Sequence, residues 1–209
     1  MNRSGIWRFF FILSGLFLMA GGPLHPAGTT AEMLGHRDWV LSHALLLAGF
    51  VALLIGLILF SRGHSLPDRT RRWLRLATIG TALQAIEMVF HTAASVDHAK
   101  LLAGEPTPVL TTHLWLAVIF YPVFGVTFIG LVLAGVRDHA LGSRWIGWLG
   151  ILGALGHGLA APLVVMLGIE EAEFLFALLV LCAFWLLLAG FWPLHRETQD
   201  RITSALGPA

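Results

Sequence analysis

In an otherwise apolar stretch, six polar side chains recur at short, regular intervals: Thr81, Gln84, Glu87, His91, Ser95 and His98. Steps of three and four residues place all six on one face of an α-helix. Glu87 and His91 stand four apart, so a carboxylate and an imidazole lie one turn from each other, able to share a proton or a metal ion. The residues around them (Ile79, Leu83, Ile86, Val89, Phe90) are those of a membrane span. A charged group within a span costs about 2.5–3.5 kcal/mol, so it normally faces protein or water. Glu87 is the one carboxylate this reading places deep in a span, which makes it the most informative residue of the chain.

Other apolar runs supply complementary groups. His43 and His113 each stand within about a turn of the outer end of a run, level with His91. His157 lies deeper, in a stripe of small residues formed by Gly147, Gly150, Ala154 and Ala161. Such a stripe lets a neighbouring helix approach closely and turns His157 toward protein. At about 1.5 Å per residue, His157 and Glu87 reach similar depths, joined there by Gln84 and by Tyr121, which precedes Pro122. The expectation is therefore a layered polar site, with His43, His91 and His113 outside and Glu87, His157, Gln84 and Tyr121 beneath. Taken singly, each histidine has a structural explanation as a hydrogen-bonding residue. The argument for a site is their convergence: four runs place a histidine in the outer half, and none places one in the inner half.

Two chemistries suit this set. Histidines from facing helices hold haem b in membrane cytochromes, although a two-haem arrangement needs histidines near both surfaces. Three histidines with a carboxylate equally suit zinc, copper or iron as a single ion. The reading is a membrane protein holding haem b or a transition metal at His43, His91, His113 and His157, with Glu87 as a further metal ligand, for redox chemistry or metal handling. Two alternatives belong to other classes. One is a proton- or cation-coupled transporter or channel working through Glu87 and His157. The other is a structural or assembly subunit in which Glu87 pairs with a partner's helix. The residues do not decide whether the chain turns over a substrate; a small apolar substrate, a membrane-protein partner and a homo-oligomer are all compatible with them.

The elements that must position these groups follow from composition. Of the residues, 57% are hydrophobic and 12% charged, with a mean hydropathy of +0.80. A soluble domain carries about 25% charged residues. Six apolar runs, at 5–22, 39–60, 74–96, 111–135, 145–167 and 172–193, each approach the roughly 20 residues that span a bilayer as a helix. They lack the alternation of a membrane β-barrel strand. The fold class is all-α: one polytopic domain over 1–209 with six transmembrane helices. A loop at 23–38 covers the outer face, where Thr29 or Thr30 ahead of Glu32 can start a short helix. A basic loop at 61–73 lies on the opposite side.

Similar sequence around Gly56-Leu57-Ile58-Leu59 and Gly130-Leu131-Val132-Leu133, each followed by an Arg-Trp pair (Arg72-Trp73, Arg144-Trp145), suggests a duplicated helical hairpin. On that reading runs 2–5 form a four-helix core, with runs 1 and 6 peripheral.

Orientation rests on the basic residues. Arg3, Arg8, Arg62, Arg69, Arg71, Arg72, Arg75, Arg137, Arg144, Arg196 and Arg201 fall on one side, and only Arg37 and Lys100 on the other. The positive-inside rule puts both termini in the cytoplasm of a cell whose inner membrane holds the protein. The basic side then faces lipid headgroups, and nothing points to nucleic acid. Run 1 reads as an uncleaved helix, because Leu18 is a poor residue three before a cut at Ala20. Cys182, the single cysteine, reads as a small core residue.

Overall fold

The computed structural model describes residues 5–63 and 66–192. Arg3, Arg196 and Arg201 of the charge argument, with His64 and His195, lie outside the described residues. The chain is an all-α polytopic membrane protein. Its helices are α1 (Ile6–Gly21), α2 (Thr30–Gly35), α3 (Trp39–Gly63), α4 (Asp68–Ala93), α5 (His98–Leu102), α6 (Pro108–Arg137), α7 (Arg144–Ala161), α8 (Phe174–Ala177) and α9 (Leu179–Phe191). Among the described residues, five segments are long and apolar enough to cross a membrane: those built on α1, α3, α6, α7 and the α8–α9 pair.

The sixth long helix, α4, is less apolar than these because of the face it buries. Thr81, Gln84 and Glu87 are fully buried, whereas Leu76, Ile79, Ile86 and Val89 are exposed. This polar-inside, apolar-outside pattern is stable only where the outside is hydrocarbon and the inside is protein. The helix has 26 residues, about 39 Å at 1.5 Å per residue, and packs between α3 and α6.

The six long helices make a closed ring in chain order. Each packs on its sequence neighbour, and α9 returns to pack on α1. This differs from a four-helix core with peripheral ends: α1 and α9 complete the ring between α3 and α7. The reason is visible in their buried side chains. Trp7 and Phe11 of α1 and Trp185 of α9 have 0–1% of their surface exposed. They fill the interior, with Phe11 and Phe128 each within 6.3 Å of Trp185 by ring centroid. Lipid is as apolar as these side chains, so close packing rather than water expulsion holds them together. Glycines also let α6 and α7 approach closely. A methyl group added at Gly125 would stand 2.8 Å from the Ala154 carbonyl oxygen and 3.1 Å from Gly158 Cα.

The bundle is sorted along its length. The half where α1 begins is an apolar plug that includes Phe11, Leu53, Leu57, Phe60, Phe128, Leu131 and Trp185. The opposite half holds Glu87 and the span histidines and is capped by the connections, while the plug end keeps a buried polar tie from Thr70 to Asp138.

The 23–38 segment contains α2, whose start is a complete capping box: Thr29 Oγ1 accepts from the Glu32 N–H, and Glu32 accepts from the Thr29 N–H. Leu34, Trp39, Ala94 and Leu110 make a small apolar cluster beneath the cap. Asp97 is wholly buried and accepts from the Val109 and Leu110 N–H groups at 2.7 and 3.0 Å, tying the end of α4 to the start of α6. Burial alone would raise its pKa. The two N–H bonds and Lys100 outweigh that and hold the carboxyl below the usual aspartate value.

The basic connection is shorter than the expected 61–73 loop. Arg62 belongs to α3, and Arg69, Arg71 and Arg72 belong to α4, which begins at Asp68 just after Pro67. Proline favours that position because it has no N–H to leave unpaired at a helix start.

Candidate metal centre

Glu87 is where the polar groups meet. It is fully buried on α4, and its two oxygens accept from different partners. Gln84 Nε2, one turn back on the same helix, donates to Oε2 at 2.9 Å. His113 Nδ1, across the interface on α6, donates to Oε1 at 2.6 Å. His91 Nδ1 lies 3.5 Å from the same Oε1 and 3.5 Å from the Tyr121 hydroxyl. Thus α4 and α6, packed along their length, bring a carboxylate and two imidazoles together. One ligand atom from each of Glu87, His91 and His113 lies within 4.8 Å of the other two.

The imidazoles continue in a row toward the capped end of the bundle. His91 stacks on His113 with ring centroids 3.8 Å apart, and His43 follows 4.3 Å from His91. His25 comes next, 4.8 Å from His43. Trp39 stacks on His43 at 4.0 Å and orients it. His25, His43 and His91 form a second set whose ligand atoms lie within 4.8 Å of one another. His91 belongs to both sets.

The hydrogen bonds fix how these rings can act. A carbonyl oxygen only accepts, so His43 Nδ1–H donates to the Trp39 carbonyl at 2.7 Å. His25 Nδ1–H likewise donates to the Pro26 carbonyl at 2.8 Å. In a neutral imidazole with Nδ1 protonated, Nε2 carries the lone pair. His43 Nε2 is buried and has no hydrogen-bond partner among the described residues. Binding one ring nitrogen to an acceptor while the other faces an ion is how proteins orient metal-ligating histidines. His25, though exposed, has enough protein around its ring to lower its pKa below the ordinary imidazole value; the Pro26 bond and Glu173 act in the opposite direction.

The structure therefore brings together His43, His91, His113, Glu87 and Gln84, with Tyr121 at their edge. His157 stands apart from both ligand sets. It is buried, stacks on Tyr121 at 4.2 Å and is flanked by Phe50 and Phe124. Neither of its ring nitrogens has a hydrogen-bond partner among the described residues.

The outer end of the polar stripe also differs from a continuous helix face. α4 stops at Ala93, a 3₁₀ turn follows over Ala94–Asp97, and His98 begins α5 against Gly35. The spacing that marks the span histidines does not reach His25, and the structure sets it beside His43. Its one signal was its position in Leu24-His25-Pro26, in a loop long enough to fold over the bundle.

Comparison with protein-family models, curated proteins and solved structures gave no match. The site's own geometry carries the functional argument.

Proposed function

We propose that this protein binds a single transition-metal ion of the zinc, copper or iron class at Glu87, His91 and His113, in the outer half of an inner-membrane helical bundle, and handles that metal at the outer face. The observation that carries this reading is the three-residue group, with Glu87 and His113 buried and His91 partly so, whose ligand atoms lie within 4.8 Å of one another. Ligands at 2.0–2.1 Å in a tetrahedral site lie about 3.3 Å apart, so modest side-chain rotations close the group on an ion. The bond between His113 Nδ1 and Glu87 Oε1 orders the site without metal. An ion drawing on both atoms displaces that proton, so binding weakens as pH falls.

Ring spacing favours an ion over haem. Axial imidazoles must face each other across a macrocycle, whereas these rings are in van der Waals contact at 3.8–4.8 Å. The apolar plug, with Phe128, Leu131 and Trp185 fully buried, favours binding over conduction through the bundle. The arginine asymmetry supports cytoplasmic termini, which makes the histidine face periplasmic.

The test is metal analysis and a visible spectrum of the detergent-purified chain. About one transition-metal ion per chain without a Soret band is expected. A Soret band would replace the ion with haem. Failure to bind cobalt, zinc, copper or iron at micromolar concentrations would overturn the reading.

A further inference from the structure

We propose that the two histidine sets are successive stations for one ion, with His25 taking it at the outer face, His91 common to both stations and Glu87 completing the final one. This rests on the metal-binding reading above and adds the route by which the ion arrives.

The two sets differ in access. Of the five side chains, His25 is the exposed one and so the point of entry; His43 and Glu87 are 0% exposed, and His91 and His113 are 14% and 8% exposed at their side chains. The row of ring contacts His25–His43–His91–His113 is continuous, each centroid 3.8–4.8 Å from the next. An ion can therefore exchange one ligand at a time without being stripped of all its partners.

The two sets also differ in charge. The outer station consists of neutral imidazoles, with His25 and His43 each fixed by an Nδ1–H bond to a backbone carbonyl. The inner station adds a carboxylate in a fully buried setting. A cation is held more strongly by the site carrying negative charge at low dielectric, so transfer inward is downhill. His91 Nδ1 already faces Glu87 at 3.5 Å, which places the shared ligand at the boundary between stations.

The surroundings of His25 fit a collecting mouth. Glu173, in an exposed turn before α8 that also carries Glu170 and Glu171, acts electrostatically on His25. Acidic groups at the rim of a cleft raise the local cation concentration and the on-rate. The loop carrying His25 is anchored on both sides: the His25 N–H donates to the Gly22 carbonyl, and the capping box of α2 follows at Thr29.

The experiment uses the full-length protein in detergent, with cobalt(II) as probe. Stopped-flow absorption of the cobalt bands gives loading and release rates, and equilibrium titration gives Kd and stoichiometry. The wild type should bind one cobalt per chain. His25→Ala should keep that stoichiometry and a Kd close to wild type, while loading and release both slow by about tenfold. A residue on the route but outside the final site acts equally in both directions. Removing the acidic mouth with Glu170→Gln, Glu171→Gln and Glu173→Gln together should slow loading in the same way, and the slowing should vanish at high salt.

If wild type binds no cobalt, the metal reading fails and the route fails with it. If wild type binds but His25→Ala loads at the wild-type rate, the route alone is overturned. Two cobalt ions bound at once, or a loss of affinity in His25→Ala as large as in Glu87→Gln, would make the outer set a site in its own right and also overturn it. His25→Gln, which keeps a polar side chain in the loop, should load as slowly as His25→Ala; recovery of the wild-type rate would show loop structure, not ligation, at work.

Discussion

Replacing Glu87 by glutamine is the sharpest perturbation of the site, because it preserves shape and removes one charge. The carboxylate accepts from His113 Nδ1 at 2.6 Å and from Gln84 Nε2 at 2.9 Å, on separate oxygens. An amide keeps one acceptor oxygen and turns an N–H toward the other donor. One buried donor is left without a partner, at about 1–3 kcal/mol. For a chain of 209 residues, each kcal/mol moves the thermal midpoint by about 2–4 °C. The midpoint in detergent should therefore fall by roughly 2–12 °C without metal.

The response to metal is the more specific readout. Zinc at about a hundred times its Kd stabilises the wild type by about 2.7 kcal/mol. Loss of a residue that orients or completes a metal site typically weakens affinity by about 10–100-fold. At the same zinc concentration, Glu87→Gln should then gain only about 0.4–1.4 kcal/mol. The assay is a fluorescence-detected thermal scan of both proteins with zinc and with chelator, alongside zinc titrations. An unchanged zinc-free midpoint together with an unchanged zinc-induced shift would refute the assignment of Glu87 as the anchor of the group.

Three further outcomes are expected. Gly150→Leu should destabilise the fold by about 1–3 kcal/mol, because a side chain there meets Trp185 Cγ at 2.9 Å and Val132 Cγ2 at 3.0 Å; the exposed Val165→Leu should be nearly silent, and equal midpoints for the two in a thermal scan would contradict the packing. Asp97 has a folded-state pKa below its unfolded value, so its contribution is present above about pH 4 and is lost as pH falls through the lower folded value. Asp97→Asn should therefore abolish any acid-induced loosening of the outer cap, read by hydrogen exchange at Val109 and Leu110, and acid loosening identical to wild type would reject the tie. Reporter fusions after Arg144 should read cytoplasmic and after Glu105 periplasmic; the reverse pattern would invert the orientation.

Much of this protein was legible from local chemistry. The long apolar runs marked the spans, since backbone in hydrocarbon has no option but to bond within its own helix. Thr29 and Glu32 marked the start of α2, because a capping box is satisfied by residues three apart. The 3- and 4-residue steps from Thr81 to His91 marked the buried face of α4, because periodicity and the cost of exposing a carboxylate to lipid point the same way.

Other features could not be read along the chain. Whether α1 and α9 stand outside the bundle or close it depends on where Trp7, Phe11 and Trp185 find partners, and apolar helices carry little information about which neighbour they choose. His157 shares a depth with Glu87, yet its rotation about α7 sets it against Tyr121 and outside both ligand groups. His25 comes to His43 only because the loop folds back over the bundle end, where a backbone carbonyl turns its Nε2 free. Periodicity determined which faces had to be buried; the pairing of those faces, and with it the choice of the residues that meet at Glu87, was decided by packing between helices distant in sequence.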